Sequence, residues 1–142
     1  MDKLLELALN LATEAHRGQV DKGGHPYINH VTRVSNNCSD LDSKIVGMIH
    51  DIVEDTYYTL NDLSELGFPD YIVQAIDAIS KRKGESYNNY ISRVKSNNIA
   101  IKVKLSDLKD NADLSRLSSI HIKDLKRWIK YNKLRRELEG LV

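Results

Sequence analysis

The stretch that decides the fold is Ile99-Ala100-Ile101-Lys102-Val103-Lys104-Leu105. Its alternation reads as a strand. A longer window favours a helix, because Ile101, Leu105, Leu108 and Ala112 fall at i, i+4, i+7 and i+11 on one face. No other segment offers a strand partner, and a lone strand would leave its backbone donors and acceptors unpaired. The stretch therefore reads as helix, and with it the whole chain reads as all-α, a single compact helical bundle over residues 1–142.

Outward from that segment the helical pattern repeats. Asp2 can cap a first helix with Leu4, Ala8, Leu11 and Ala15 on one face, closed by Gly18. Gln19 to Pro26 is a loop by composition, and Tyr27 to Asn36 is a short helix carrying His30. Asp42 or Ser43 is expected to cap a central helix whose apolar face is Ile45, Val46, Ile49, Ile52 and Val53. Thr59 precedes a short helix stopped by Gly67, and Pro69 sits at the first turn of a helix faced by Ile72, Val73, Ile76 and Ile79. Ser80 to Glu85 is a basic loop, and Ser86 caps a helix with Tyr87, Tyr90, Ile91 and Val94 on one side. A last helix from about Ile122 to Glu137 is expected to bury Leu125, Trp128, Tyr131, Leu134 and Leu138 as its seam.

Bulk properties narrow the function classes. A chain of 142 residues buries enough surface to fold without disulfide or structural zinc. A formal net charge of +1 argues against a nucleic-acid protein that works through a basic surface. No apolar run is long enough for a bilayer and no signal-peptide pattern opens the chain. The single cysteine, Cys38, forms no internal disulfide and suits a reducing compartment. The expected location is the cytoplasm.

The chemistry concentrates in His50-Asp51-Ile52-Val53-Glu54-Asp55-Thr56. On a continuous helix His50 and Glu54 would stack at i, i+4, as would Asp51 and Asp55. Three acids and an imidazole beside an apolar stripe repel one another unless a cation lies between them, and imidazole and carboxylate are ligands for divalent metals. By itself the pair reads equally as a helix end with solvated acids. Four further features bear on it: His30, Asp107 with Asn111 one turn on, the loop holding Lys22 beside Gly23 and Gly24, and the basic run Lys81-Arg82-Lys83. Each alone reads as an ordinary core or surface residue. His25 and His121 read as exposed.

Taken in order, Ala15-His16-Arg17-Gly18-Gln19, Lys22, Pro26-Tyr27-Ile28-Asn29-His30, His50 to Thr56, Ile79-Ser80-Lys81 and Val103-Lys104-Leu105-Ser106-Asp107 resemble the hydrolase domain of the RelA/SpoT family. The resemblance is closest to its small alarmone hydrolases, which are HD-domain phosphohydrolases. It implies one metal per chain, usually manganese, held by His30, His50, Asp51 and Asp107. It implies that Glu54 and Asp55 act on the attacking water and leaving group, and that Lys22, Asn111 and Lys81 contact a nucleotide substrate. The implied reaction removes the 3′-pyrophosphate of guanosine tetra- or pentaphosphate, with degradation and not synthesis expected of this chain. The sequence departs from the family pattern at Asp21, where the family's first loop has arginine. It departs also at Val31, in place of proline, and at Asp113, in place of an arginine for which Arg116 is a neighbouring substitute. Asp21 and Asp113 motivate an alternative substrate, such as an adenosine-type alarmone, another nucleotide or a phosphodiester. A catalytically silent HD-fold protein that binds a nucleotide or partner is the reading from another class.

Overall fold

A computed structural model describes residues 2–142. Among these residues the regular structure is helical, with a single isolated bridge between Val20 and Pro26. Nine α-helices follow in order: α1 Lys3–Ala15, α2 Tyr27–Asn36, α3 Leu41–Ile49, α4 Ile52–Asp55, α5 Leu60–Glu65, α6 Asp70–Ile79, α7 Tyr87–Lys95, α8 Asn98–Asn111 and α9 Ile122–Glu139. A 3-10 turn, Leu114–Arg116, links the last two. The ambiguous stretch Ile99 to Leu105 is helix, within α8, as the longer period requires.

The caps show how the sequence sets the boundaries. Asp2 accepts from the amides of Leu4 and Leu5, satisfying donors that the first turn leaves free. Thr59 and Asp62 form a reciprocal capping box at the start of α5. Ser86 and Asn97 accept from Asn89 and Ala100 at the starts of α7 and α8. The central helix begins earlier than expected: its cap is Asp40, not Asp42 or Ser43. Asp40 has an extended backbone and accepts from both the amide and the hydroxyl of Ser43, at 2.8 and 3.0 Å.

Three further expectations are corrected. The central helix is not continuous through His50 and Asp51; regular helix ends at Ile49 and resumes at Ile52. Asp51 sits at φ −97°, ψ −1°, which loosens the turn. The proposed i, i+4 stacking of His50 on Glu54 therefore does not describe one regular helix. In α9 the expected seam is only half buried. Leu134 and Leu138 are in the core and Tyr131 packs against it, while Leu125 and Trp128 are 46% and 42% exposed. The buried residue of the first turn of α9 is instead Asp124, which accepts from the His121 amide and pairs with Arg127. Tyr87, expected on the inner side of α7, is also exposed.

Helices α2, α3 and α8 pack on one another at the centre, with α1, α6, α7 and α9 around them. Their interior holds Val31, Val34, Ile45, Val46, Ile49, Ile52, Ile72, Ile76, Ile101, Val103 and Leu108. Val31, at the departure noted after His30, is fully buried. Gly47 sets the spacing of α2 and α3: a Cβ there would meet the backbone Cα of Ser35 at 3.2 Å. That close approach brings His30 on α2 toward His50 at the end of α3.

The basic loop after α6 is held by Arg93. Its guanidinium donates to the carbonyls of Asp77 and Ser80 at 2.6 and 2.7 Å, capping the end of α6. It also makes a two-pronged contact with Glu85, both arms at 2.7 Å. Arg93 holds the Glu85 carboxyl down at about 2, below its ordinary 4.5. A lowered folded value means that the contribution is present above about pH 4.5 and is lost as the pH falls through about 2. Glu85→Gln is expected to melt below the parent at neutral pH, with the gap closing between pH 4.5 and 2; parallel thermal melts over that range measure it.

Candidate metal centre and flanking cavities

Each of the four expected metal-binding side chains comes from a central helix or its end. His30 lies on the second turn of α2, His50 and Asp51 at the break after α3, and Asp107 on α8. Adjacent residues on a regular helix point about 100° apart. The break lets His50 and Asp51 converge instead, with His50 Nε2 at 3.1 Å from Asp51 Oδ2. Asp107 Oδ1 lies 3.1 Å from His30 Nε2 and 3.3 Å from His50 Nε2. His30 Nε2 is 3.7 Å from Asp51 Oδ2, and one ligand atom from each of the four falls within 4.8 Å of the others.

The hydrogen bonds behind this cluster test whether it fits a metal. His50 Nδ1 is 2.7 Å from the Gly47 carbonyl, which only accepts, so the proton is on Nδ1 and Nε2 faces the acids. His30 Nδ1 likewise faces away, toward Asp110 Oδ2 at 2.6 Å. Two imidazole nitrogens and two carboxylate oxygens then point at one small volume, which is a donor set for a divalent first-row ion. The residues fit such an ion.

Electrostatics in the cluster follow from burial and proximity. Burial alone would raise the Asp107 carboxyl. Lys104 Nζ at 3.2 Å, with His30 and His50, drives it well below the usual range. Burial alone would lower His50, and Asp51 and Asp107 more than offset it, raising the imidazole. Tyr27 donates to Asp51 Oδ2 at 2.5 Å, and burial followed by that carboxylate raises its phenol.

Glu54 and Asp55 follow on α4, at the edge of the cluster. Glu54 Oε1 accepts from the Lys81 amide, so one carboxylate oxygen is engaged by the loop that Arg93 holds. Burial raises the Glu54 carboxyl; the Lys81 amide opposes this, and Asp51 adds to it. Burial, then Asp51, raises Asp55. The Asp55 backbone carbonyl accepts from Gln19 Nε2 at 3.1 Å, tying α4 to the first loop. Gln19 Oε1 in turn meets His16 Nδ1 at 2.9 Å, and the buried His16 Nε2 has no hydrogen-bond partner among the described residues.

Two cavities lie near the cluster, one lined by His50 and Asp51 and the other reaching it only through the neighbours Tyr27, Asp110 and Asn111. The larger, about 380 Å³, is lined by Lys22, Tyr27, Arg33, Asn111, Arg116 and Arg127, among others. The smaller, about 230 Å³, is lined by His50, Asp51, Glu54, Lys81, Tyr90 and Lys104, with Lys130 and Tyr131 opposite. The expected substrate residues are thus divided, Lys22 and Asn111 on the first and Lys81 on the second. Asn111 also donates to Asp107 Oδ1 at 3.0 Å, so its amide reaches the cluster itself. Gly23 allows the first loop to close over the larger cavity, because a Cβ there would lie 2.8 Å from the Arg116 carbonyl oxygen.

Sequence reading missed Tyr27, Arg33, Lys104 and Asp110. A signal existed for the last two, since Lys104, Asp107, Asp110 and Asn111 share one face of a helix at three- and four-residue spacing. Arg33 stands three residues after His30 on α2 in the same way.

No protein-family model matches the chain. Curated relatives do. The chain is 28% identical over 121 residues to a probable GTP pyrophosphokinase of Mycobacterium leprae, covering 76% of this chain and 15% of that protein. It is 27% identical over 124 residues to the bifunctional (p)ppGpp synthase/hydrolase SpoT of Escherichia coli, covering 77% of this chain and 18% of that one. The chain thus spans less than a fifth of the length of these relatives, some of which are named for synthesis. Among solved structures, a metazoan ortholog of SpoT that hydrolyses ppGpp superposes with a TM-score of 0.80 at 23% identity, covering 97% of this chain and 86% of that one. The chain has the all-helical HD-type fold of that structure.

The cluster geometry predicts one divalent-ion site per chain. Asp107→Ala removes the carboxylate that faces both imidazoles and is expected to abolish that site. Manganese titration by calorimetry, with elemental analysis of protein purified without chelator, measures the difference; equal binding by parent and variant would exclude the cluster as the site.

Proposed function

We propose that this protein is a manganese-dependent pyrophosphohydrolase of guanosine tetra- and pentaphosphate. It would convert ppGpp and water into GDP and pyrophosphate, as one domain working in the cytoplasm on a small nucleotide. The observation that carries the reading is the convergence of His30, His50, Asp51 and Asp107 beside a cavity lined by Lys81, Lys104 and Lys130. The likeness to SpoT-type proteins in sequence and fold supports it.

His30, His50, Asp51 and Asp107 would hold the ion. When bound, a divalent ion lowers the pKa of its water and draws charge from phosphoryl oxygens. Hydrolysis needs one proton to leave the water and one to reach the 3′-oxygen of the leaving nucleoside. Glu54 is assigned the first transfer, through the carboxylate oxygen that the Lys81 amide leaves free. Its raised carboxyl brings it closer to the pH at which a base both accepts and releases protons. Asp55, next in the chain and raised in the same direction, is assigned the leaving-group side. Lys81, Lys104 and Lys130 would offset the charge of the departing pyrophosphate, while from the larger cavity Lys22 would offset the charge of the rest of the nucleotide and Asn111 would hydrogen-bond to it.

The acids that motivated another substrate have local work to do. Asp21 Oδ1 accepts from the amides of Gly23 and His25 at 2.9 and 3.0 Å, shaping the first loop. Asp113 caps the 3-10 turn through Ser115 and pairs with Arg116 at 3.1 Å. Both are accounted for by these local contacts, which removes the motive for the adenosine-type alternative.

Chromatography of products with manganese present tests the reaction. GDP and pyrophosphate are expected. Single phosphate release would exclude the bond cleavage assigned, and turnover confined to another nucleotide would exclude the substrate. A protein that binds ppGpp without turning it over would be the silent binder. Glu54→Gln is expected to keep the metal and the fold and to lose roughly 10²–10⁴-fold in kcat. Parent-like turnover with metal bound would make Glu54 a spectator. Lys22→Ala is expected to raise KM roughly 10- to 100-fold with metal affinity unchanged, the size of a charge-assisted contact. Steady-state kinetics alongside a manganese titration separate the two effects.

A further inference from the structure

Asp110 is buried on α8, one turn beyond Asp107, and the reaction outlined above leaves it without a part. Its carboxylate meets three side chains, an imidazole and two guanidiniums. Oδ2 meets His30 Nδ1 at 2.6 Å, Arg33 Nη2 at 3.2 Å and Arg116 Nη2 at 3.3 Å. Oδ1 accepts from Arg33 Nε at 2.7 Å. Arg116 also donates to the Asp110 backbone carbonyl at 2.7 Å.

We propose that Asp110 is a positioning residue that aims His30 at the divalent ion, held in place by Arg33 and Arg116. The inference rests on the reading of His30, His50, Asp51 and Asp107 as the ion's ligands.

Three observations carry it. First, two guanidiniums beside Asp110 keep it an acceptor, so the hydrogen in the short contact to His30 belongs to Nδ1. The lone pair of the ring is then on Nε2, the atom that faces Asp51 and Asp107. Second, the contact fixes the ring plane as well as the tautomer. The ring is held at Nδ1 by Asp110 and flanked by Tyr27 and His50, with centroids at 5.3 and 5.7 Å. Third, the other histidine is oriented by a neutral group, the Gly47 carbonyl, through the same atom. A carboxylate in that position makes the imidazole a better donor to a metal than a carbonyl does, and such outer partners commonly contribute 10- to 100-fold in affinity. The i, i+3 spacing of Asp107 and Asp110 lets one face of α8 supply a ligand and orient another.

A purely structural ion pair between Asp110 and the two arginines would hold the fold and leave the metal untouched. The experiment separates these roles. Manganese affinity is measured by calorimetry for the parent, Asp107→Ala and the isosteric Asp110→Asn, with metal-free thermal melts on the same preparations. The expected result is a parent with one site, no site in Asp107→Ala, and a roughly 10- to 100-fold weaker site in Asp110→Asn, still one per chain. Parent-like affinity in Asp110→Asn overturns this inference alone. Absence of any site in the parent overturns the metal reading and this inference together. Should Asp110→Asn fail to fold, the parent decides. In zinc-loaded protein, histidine ¹⁵N spectroscopy, assigned with His30→Asn, is expected to place the His30 proton on Nδ1. A proton on Nε2 overturns the inference.

Discussion

A negative charge at Asp107, taken out of water among α2, α3 and α8, is the constraint on which the rest of this structure depends. An isolated buried carboxylate is costly enough to take up a proton, so its surroundings must supply cations and donors. Lys104 and Asn111 donate to it from α8 at 3.2 and 3.0 Å, while His30 and His50 bring Nε2 to 3.1 and 3.3 Å from it, a group that could share a divalent cation with Asp107. That requirement fixes how closely the helices approach. Gly47 is small because α2 must come near α3. The break after Ile49 lets His50 and Asp51 converge, with His50 Nε2 at 3.1 Å from Asp51 Oδ2 and 3.3 Å from Asp107 Oδ1. The apolar core is arranged behind this point, and the two cavities open in front of it.

The fold was readable because its signals are local and redundant. Capping residues, glycines after helices and a 3.6-residue apolar period each mark the same boundaries. Even the stretch Ile99 to Leu105, which satisfies two periods over seven residues, resolves once Leu108 and Ala112 are included. The errors occur where a local pattern has more than one physical outlet. Asp40 and Asp42 are equally good caps by type, and only the backbone at Asp40 decides between them. In α9 the apolar seam is longer than the surface available to cover it, because only its second half meets the core.

The site was legible by residue type and much less so by connection. His30, the adjacent pair His50 and Asp51, and Asp107 lie far apart in sequence, and no period joins them; their order along the chain and its resemblance to a known pattern placed them together. Contacts such as Asp110 to His30, 80 residues apart, leave no trace in a single sequence beyond spacing on one helix. The helix break was hidden for another reason. Ile49, Ile52 and Val53 keep an unbroken apolar period through it, since they face the core on both sides of the turn.

Departures from a family pattern invite a reading in terms of substrate, and here the geometry favours a different one. Asp21 and Asp113 stand where the resemblance expects arginine, which would reverse the charge at two edges of the larger cavity. Yet each carboxylate is occupied by backbone amides or by a hydroxyl within a few residues. An acid engaged in this way determines the path of the loop more than the field in the cavity. Meanwhile Arg33, Arg116 and Arg127 line the same cavity, and each is tied to an acid, Asp110, Asp113 or Asp124. Lys22 has no such partner among the described residues. The charge available to an incoming anion is therefore set less by how many basic residues surround the cavity than by which of them the fold leaves unspent. On that count Lys22 weighs more than the two substituted positions in the proposed contact with the nucleotide.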